Sequence, residues 1–330
     1  MINRCFLSTA TKLYFRAHTQ SLITRTIHRD VSATNNCREI EIKVPWGKVA
    51  GKWWGSENQQ PILALHGWQD NAGSYDHLAP LLLKNASILA IDWPGHGLSS
   101  WLPEGVIYHE ILYLLLIQRL KNYFKWEKVK ILAHSWSAQI SFWHTSVFPN
   151  DTQFVISLDI LKFTSETAVR FNDMFSQATS MYFKLEEKEY NEPKYTESDL
   201  LSRMSNGGYF YMDELTCKTL MIRGTRRTDD GKYKINRDPK VKLFPNVAMF
   251  THDCLLQQAK LITCPYLYIN AKDSPHIEEE KFITDTFEIL KKNNNDSLRV
   301  ELPGLHHLHI TNADSVAKVI NPFLEKHNIS

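Results

Sequence analysis

The sequence predicts an α/β domain built on a mostly parallel sheet, with helices on both faces and a helical cap inserted above it. Three observations support this. From about Arg38 onward, short apolar runs alternate with segments of helical spacing; between about Leu161 and Thr263 that regularity gives way to charged, helix-like sequence; and the alternation then resumes with CPYLYINAKD. Strands that alternate with helices of ten or more residues need crossover connections, and such connections join parallel strands.

The elements follow in order. REIEIKVP and GKVAGKWW read as two strands of a hairpin turning at Trp46-Gly47. PILALHG is a buried run ending in His66-Gly67, and SYDHLAPLLLK carries helical spacing in Tyr75, Leu78, Ala79, Leu82 and Leu83. ASILAIDWPGHG is a strand followed by a glycine-punctuated turn, and residues 108–125 form an amphipathic helix. KVKILAHS, WSAQISFWHTSVF and TQFVISLDIL then read as strand, helix and strand. After the insertion come CPYLYINAKD, a helix from about Glu278 to Leu290, the strand SLRVELPG and a last helix through VAKVINPFLEK. The organisation expected is a tail over 1–36, a core domain over 37–160 and 264–330, and a helical cap over 161–263.

Composition bounds the function. Of the 330 residues, 43% are hydrophobic and 22% charged, and the net charge is only +2, so nothing global calls for a nucleic-acid partner. The five cysteines are scattered and form no CxxC pair, which suggests neither a disulfide framework nor a zinc site. No apolar stretch reaches the 18 residues of a membrane span. Arg4, Lys12, Arg16, Arg25 and Arg29 precede the first acidic residue, Asp30, in a hydroxyl-rich start. That pattern leads us to expect mitochondrial import, with a cytoplasmic or peroxisomal protein carrying a basic tail as the alternative; the C-terminal HNIS is not an SKL address.

In open α/β sheets the ligand site lies beyond the carboxyl ends of the strands, where His66-Gly67, Asp92, Ser135 and Asp159 all fall. A serine hydroxyl is a poor nucleophile until a base takes its proton, and a strand-turn-helix elbow holds it up, exposed, at the end of the sheet. AHSWS meets the steric requirement of that elbow with the small residues Ala133 and Ser137 where glycine is usual. A small polar residue after a buried strand is the bland reading. The backbone N–H of Trp136, directly after the serine, and that of Trp68, after His66-Gly67, are candidate donors to an oxyanion. LPGLHHLHIT supplies the base: His306 is the first histidine to leave the strand end, with His307 next. Three histidines on so short a loop cannot easily turn all their rings to one ion, so no metal is expected. The acid expected is Asp273, just past YLYINAK; Asp159, at the end of FVISLD, is the competitor.

These residues resemble a known family. LHGWQDNAGSYDHLAPLL, IDWPGHGLSS, LAHSWSAQ, YINAKDSP and LPGLHHLHI are similar to the α/β-hydrolase fold family. VPWG, LHGWQDNA, DWPGHGLSS and KINRDPKVKL resemble its serine hydrolase-like (kraken-like) group, over about Arg38 to Leu324. The resemblance implies Ser135 as nucleophile, His306 as base, Asp273 as acid and oxyanion amides at Trp68 and Trp136. It departs from the pattern at Ala133 and Ser137, and at AKD, where many relatives place glycine before the acid. The activity expected is hydrolysis of a small carboxylic ester or thioester through an acyl-enzyme, without a cofactor; the alternative is a hydrolase-fold binding protein. A serine in place of aspartate makes dehalogenase or epoxide hydrolase chemistry a poor fit. Residues 223–242 carry eight basic and three acidic side chains. The bland reading is a solvated surface; the sharper one is that Arg226, Arg227 or Arg237 draws in an anionic substrate.

Overall fold

The computed structural model describes residues 37–328, apart from 83, 85, 166, 167, 188–191 and 244–247. The basic tail expected to direct import lies outside the described residues. β1 (Cys37–Val44) and β2 (Gly47–Trp54) form the hairpin, Val44 opposite Gly47. There follow β3 (Ile62–Leu65), β4 (Ile88–Ile91), β5 (Val129–His134) and β6 (Thr152–Leu158), then a small antiparallel pair within the insertion, β7 (Thr225–Arg227) and β8 (Tyr233–Ile235), and finally β9 (Tyr266–Ala271) and β10 (Leu298–Leu302). The main sheet has eight strands in the order β1-β2-β4-β3-β5-β6-β9-β10. β2 runs antiparallel to β1 and β4, and every other pairing is parallel.

The central strands are apolar runs because both of their faces are covered. All four residues of β3 and of β4 are buried. The period of two separates them: Leu63, Leu65, Leu89 and Ile91 join one apolar cluster, and Ile62, Ala64, Ile88 and Ala90 the other. Helices α1 (Glu110–Phe124) and α2 (Trp136–Val147) cover the first face. The insertion contributes α3 (Ala168–Glu186), α4 (Glu197–Asn206) and α5 (Glu214–Gly224). α6 (His252–Ala259) and α7 (Glu280–Asn293) follow, and α8 (Ala313–His327) covers the second face with Val316, Ile320, Phe323 and Leu324.

One expectation is revised. SYDHLAPLLLK does not form one continuous helix: Asn71 caps a 3-10 turn over Ala72–Tyr75, and a single α-turn follows at Ala79–Leu82. Pro80 lacks the N–H that a continuous helix would need there, and the buried Tyr75 hydroxyl donates to the Leu65 carbonyl at 2.7 Å. The insertion shares the first apolar cluster with the core through Phe163, Val241, Leu255, Ala259 and Ile262.

Asp92, at the carboxyl end of β4, holds several of these pieces together. Its buried carboxylate accepts from the amides of Ala72 and Leu98, each at 2.8 Å. It also accepts from Nε of Arg223, on α5, at 2.8 Å, and Arg223 reaches Glu39 of β1 at 2.7 Å. Gly97, at φ +49, passes so close that a Cβ would lie 2.4 Å from this carboxylate, so only glycine fits. Asp92 thus joins the cap to the core at the strand ends and takes no direct part in the site described next.

Candidate active site

β5 ends at His134, α2 begins at Trp136, and Ser135 between them has φ 55 and ψ −123. A non-glycine residue in that region costs of order 1–3 kcal/mol and persists only where its surroundings impose it. Here the Ser135 amide donates to the Leu158 carbonyl of β6 at 3.1 Å, and its carbonyl accepts from Ala138 at 2.9 Å. Ala133 and Ser137 are fully buried against the crossing of strand and helix. Ser137 does more than fit. Its hydroxyl donates to the His66 carbonyl and accepts from Trp93 Nε1 at 2.8 Å, tying the elbow to the end of β3.

Ser135 Oγ lies 2.7 Å from Nε2 of His306. On the other side of the ring, His306 Nδ1 lies 2.5 Å from Oδ2 of Asp159, the residue directly after β6. Asp159 is further fixed by the Ala271 amide at 3.0 Å and the Ser274 hydroxyl at 2.7 Å. Burial raises its pKa, but the contacts with His306, Ser274 and Ala271 outweigh that and hold the carboxyl below its ordinary range. With Asp159 ionised, Nδ1 keeps its proton and Nε2 presents a lone pair to the serine. Burial lowers the His306 pKa to about 4 against the opposing pull of Asp159, and the neighbouring His134 and His307 lower it too.

The structure does not bring Asp273 to this group. Asp273 is exposed, its carboxylate accepts from the Gly304 amide at 2.9 Å, and its own amide donates to the Gly304 carbonyl at 3.0 Å. Two residues beyond the end of β9, it ties the turn after that strand to the turn after β10. Asp159 sits one residue past β6, the strand paired with β5, and so arrives beside the elbow. The acid assignment therefore moves from Asp273 to Asp159.

The three histidines of the loop diverge. His306 faces Ser135, His307 Nε2 lies 3.2 Å from Asp70, and His309 Nε2 lies 2.6 Å from the Ser74 hydroxyl. His134, buried beneath them, donates from Nε2 to the His306 carbonyl at 3.0 Å, which leaves its Nδ1 at 3.3 Å from Asp70. Among the described residues, Asp70, His134 and His307 are the group whose donor atoms, all within 4.8 Å, fit a metal ion. None of them touches Ser135 Oγ, and the chemistry below runs through no ion.

A cavity of about 470 Å³ opens onto Ser135 and His306. Gly67 and Trp68 line it on the core side. Trp136 opens α2, where a helix leaves its first N–H groups to partners outside itself. The cap binds the Trp68 loop directly: Trp68 Nε1 donates to the Val241 carbonyl at 3.1 Å, and Arg237 donates to the Gln69 carbonyl at 3.0 Å. Phe210, between α4 and α5, stacks on the His306 ring with centroids 3.5 Å apart and planes 9° from parallel. Sequence reasoning did not single out Phe210, Asp70 or His134, because their partners lie more than 60 residues away. Of the three cap arginines considered from sequence, Arg237 lines the cavity, whereas Arg226 pairs with Glu192 outside it and Arg227 is exposed.

A family model described as the alpha/beta hydrolase fold matches residues 60–312. The chain belongs to the α/β-hydrolase family. Within that family the hydrolase is 36% identical over 292 residues to a probable serine hydrolase of Drosophila melanogaster, covering 87% of this chain and 88% of that one. It is 30% identical over 302 residues to a serine hydrolase-like protein of Mus musculus, covering 87% and 95%. Among solved structures it is similar to a hypothetical protein of Pseudomonas aeruginosa, with TM-score 0.76, 26% identity, and coverage of 87% and 99%. The expectations of a mostly parallel α/β-hydrolase sheet and of a serine hydrolase-like relationship therefore hold.

Proposed function

We propose that this hydrolase cleaves small carboxylic esters or thioesters through an acyl-enzyme on Ser135. The observation that carries the reading is the 2.7 Å contact of Ser135 Oγ with His306 Nε2, backed by Asp159 on Nδ1. A base whose pKa lies near 4 is neutral at pH 7 and free to take the serine proton as Oγ attacks the carbonyl carbon. Asp159 then stabilises the imidazolium that forms. The tetrahedral oxyanion accepts from the amides of Trp68 and Trp136, each donor being worth roughly 3 to 4 kcal/mol in such sites. His306 returns the proton to the departing alcohol or thiol, and water enters by the same route to release the acid.

The test is pre-steady-state hydrolysis of 4-nitrophenyl butyrate by the full chain. The reading predicts a burst of nitrophenolate approaching one equivalent of enzyme, followed by slower turnover. No hydrolysis above the buffer rate would reject it.

The depressed pKa of His306 adds a second expectation. Activity requires the neutral ring, so it is lost as pH falls through about 4. Phe210 shields that ring, and Phe210→Ala lets water reach it, which weakens the dominant lowering influence and raises the pKa. A profile of kcat/KM against pH is expected to show the acid limb moved upward in the variant. An unmoved limb would show that Phe210 does not set the ring's environment.

A further inference from the structure

The cavity that holds Ser135 and His306 is lined on its cap side by three cations: Arg203 of α4, Arg237 beyond β8, and Lys242 at the end of the 3-10 turn Pro239–Lys242. The one carboxylate among its described lining residues is Asp70, which is engaged with His307 and His134. Several cations of the same basic segment outside the cavity lining pair with carboxylates. Arg223 pairs with Asp92 and Glu39, Arg226 and Lys234 share Glu192, and Lys240 lies near Asp238. Lys242 differs: among the described residues no carboxylate offsets its charge, and burial together with Arg237 and Arg203 lowers its pKa to about 8. Arg203 and Lys242 are exposed and Arg237 is half-buried, so water screens them in part; like charges gathered at the wall of one cleft still repel one another, and an anion entering the cleft relieves that repulsion.

We propose that Arg203, Arg237 and Lys242 form a subsite for an anionic group of the substrate, a terminal carboxylate or phosphate remote from the bond that Ser135 attacks. This inference rests on the esterase reading above and names its substrate class. Arginine supplies a planar fork suited to either anion, and lysine a point charge beside it. Arg237 has a second duty, because its bond to the Gln69 carbonyl braces the loop that carries Trp68. It is therefore a poor residue to mutate as a test.

The test compares 4-nitrophenyl hemiglutarate, which is anionic, with 4-nitrophenyl hexanoate, which is neutral. The wild-type protein is expected to prefer hemiglutarate in kcat/KM. In the double variant Arg203→Gln, Lys242→Gln the ratio of the two kcat/KM values is expected to fall by about tenfold to hundredfold, through KM, as for the loss of charge-assisted contacts. Lys242→Arg should largely keep the ratio, which separates lost charge from damaged structure. A wild type that hydrolyses the esters without the preference, or a ratio unchanged in the double variant, overturns the proposal.

Calorimetric titration with glutarate and with inorganic phosphate reads the same subsite without turnover and tells the two anions apart. Binding weakened in the double variant supports the subsite; no binding to wild type, or equal binding to both proteins, overturns it. Charge-dependent binding in a protein that hydrolyses neither ester refutes the esterase reading and leaves the anion subsite standing.

Discussion

Asp159→Asn is expected to lower kcat by about 10⁴-fold, the scale seen when a catalytic histidine loses its orienting carboxylate, and Asp273→Asn is expected to stay within about twofold of wild type. The difference follows from what each carboxylate touches. Asp159 accepts from His306 Nδ1 and is held by Ala271 and Ser274. The amide of asparagine, held there, offers Nδ1 either a weaker acceptor or an N–H that imposes the wrong tautomer. It also leaves the imidazolium formed during attack without a counter-charge. Asp273 serves the Gly304 turn and stands exposed to water. The check is steady-state hydrolysis of one ester by both variants, with thermal melting to establish that each is folded. A large loss in Asp273→Asn beside a small one in Asp159→Asn would return the acid role to β9.

Ser135→Ala is expected to abolish the burst and lower turnover by about 10⁴-fold or more, since the nucleophile, base and acid of such a site act as a unit. The fold should survive. The Ser135 hydroxyl makes its contact with His306, while its backbone is held by the Leu158 carbonyl and the Ala138 amide, and alanine keeps both of those bonds. A Ser135→Ala protein that melts like wild type and still hydrolyses ester at a comparable rate would place the nucleophile elsewhere.

Much of this was legible in the sequence because the signals are local. ILAL and ILAI are continuous apolar runs, and a strand needs that pattern only when both of its faces are covered. AHSWS follows such a strand and opens a helix, so the elbow could be read despite Ala133 and Ser137. What could not be read is the polar use of Ser137: its bonds to the His66 carbonyl and Trp93 join segments 44 and 71 residues away. The acid failed for a related reason. Asp159 and Asp273 both follow buried strands after the elbow, and the choice depends on which strand lies next to β5, a matter of sheet order. The cap residues Phe210 and Arg203 had no local signature either, and Lys242 stood out only as part of the basic run 223–242, because all three acquire meaning only when the insertion folds back over the strand ends.

The most direct measurement of the central claim is intact-mass analysis of the full chain after reaction with a fluorophosphonate, with peptide mapping of the adduct. One adduct per chain on Ser135, absent from Ser135→Ala and much slower to form in His306→Ala, is the result expected from the 2.7 Å contact between Ser135 and His306. A folded wild-type protein that takes up no label, or takes it up on another residue, would contradict it.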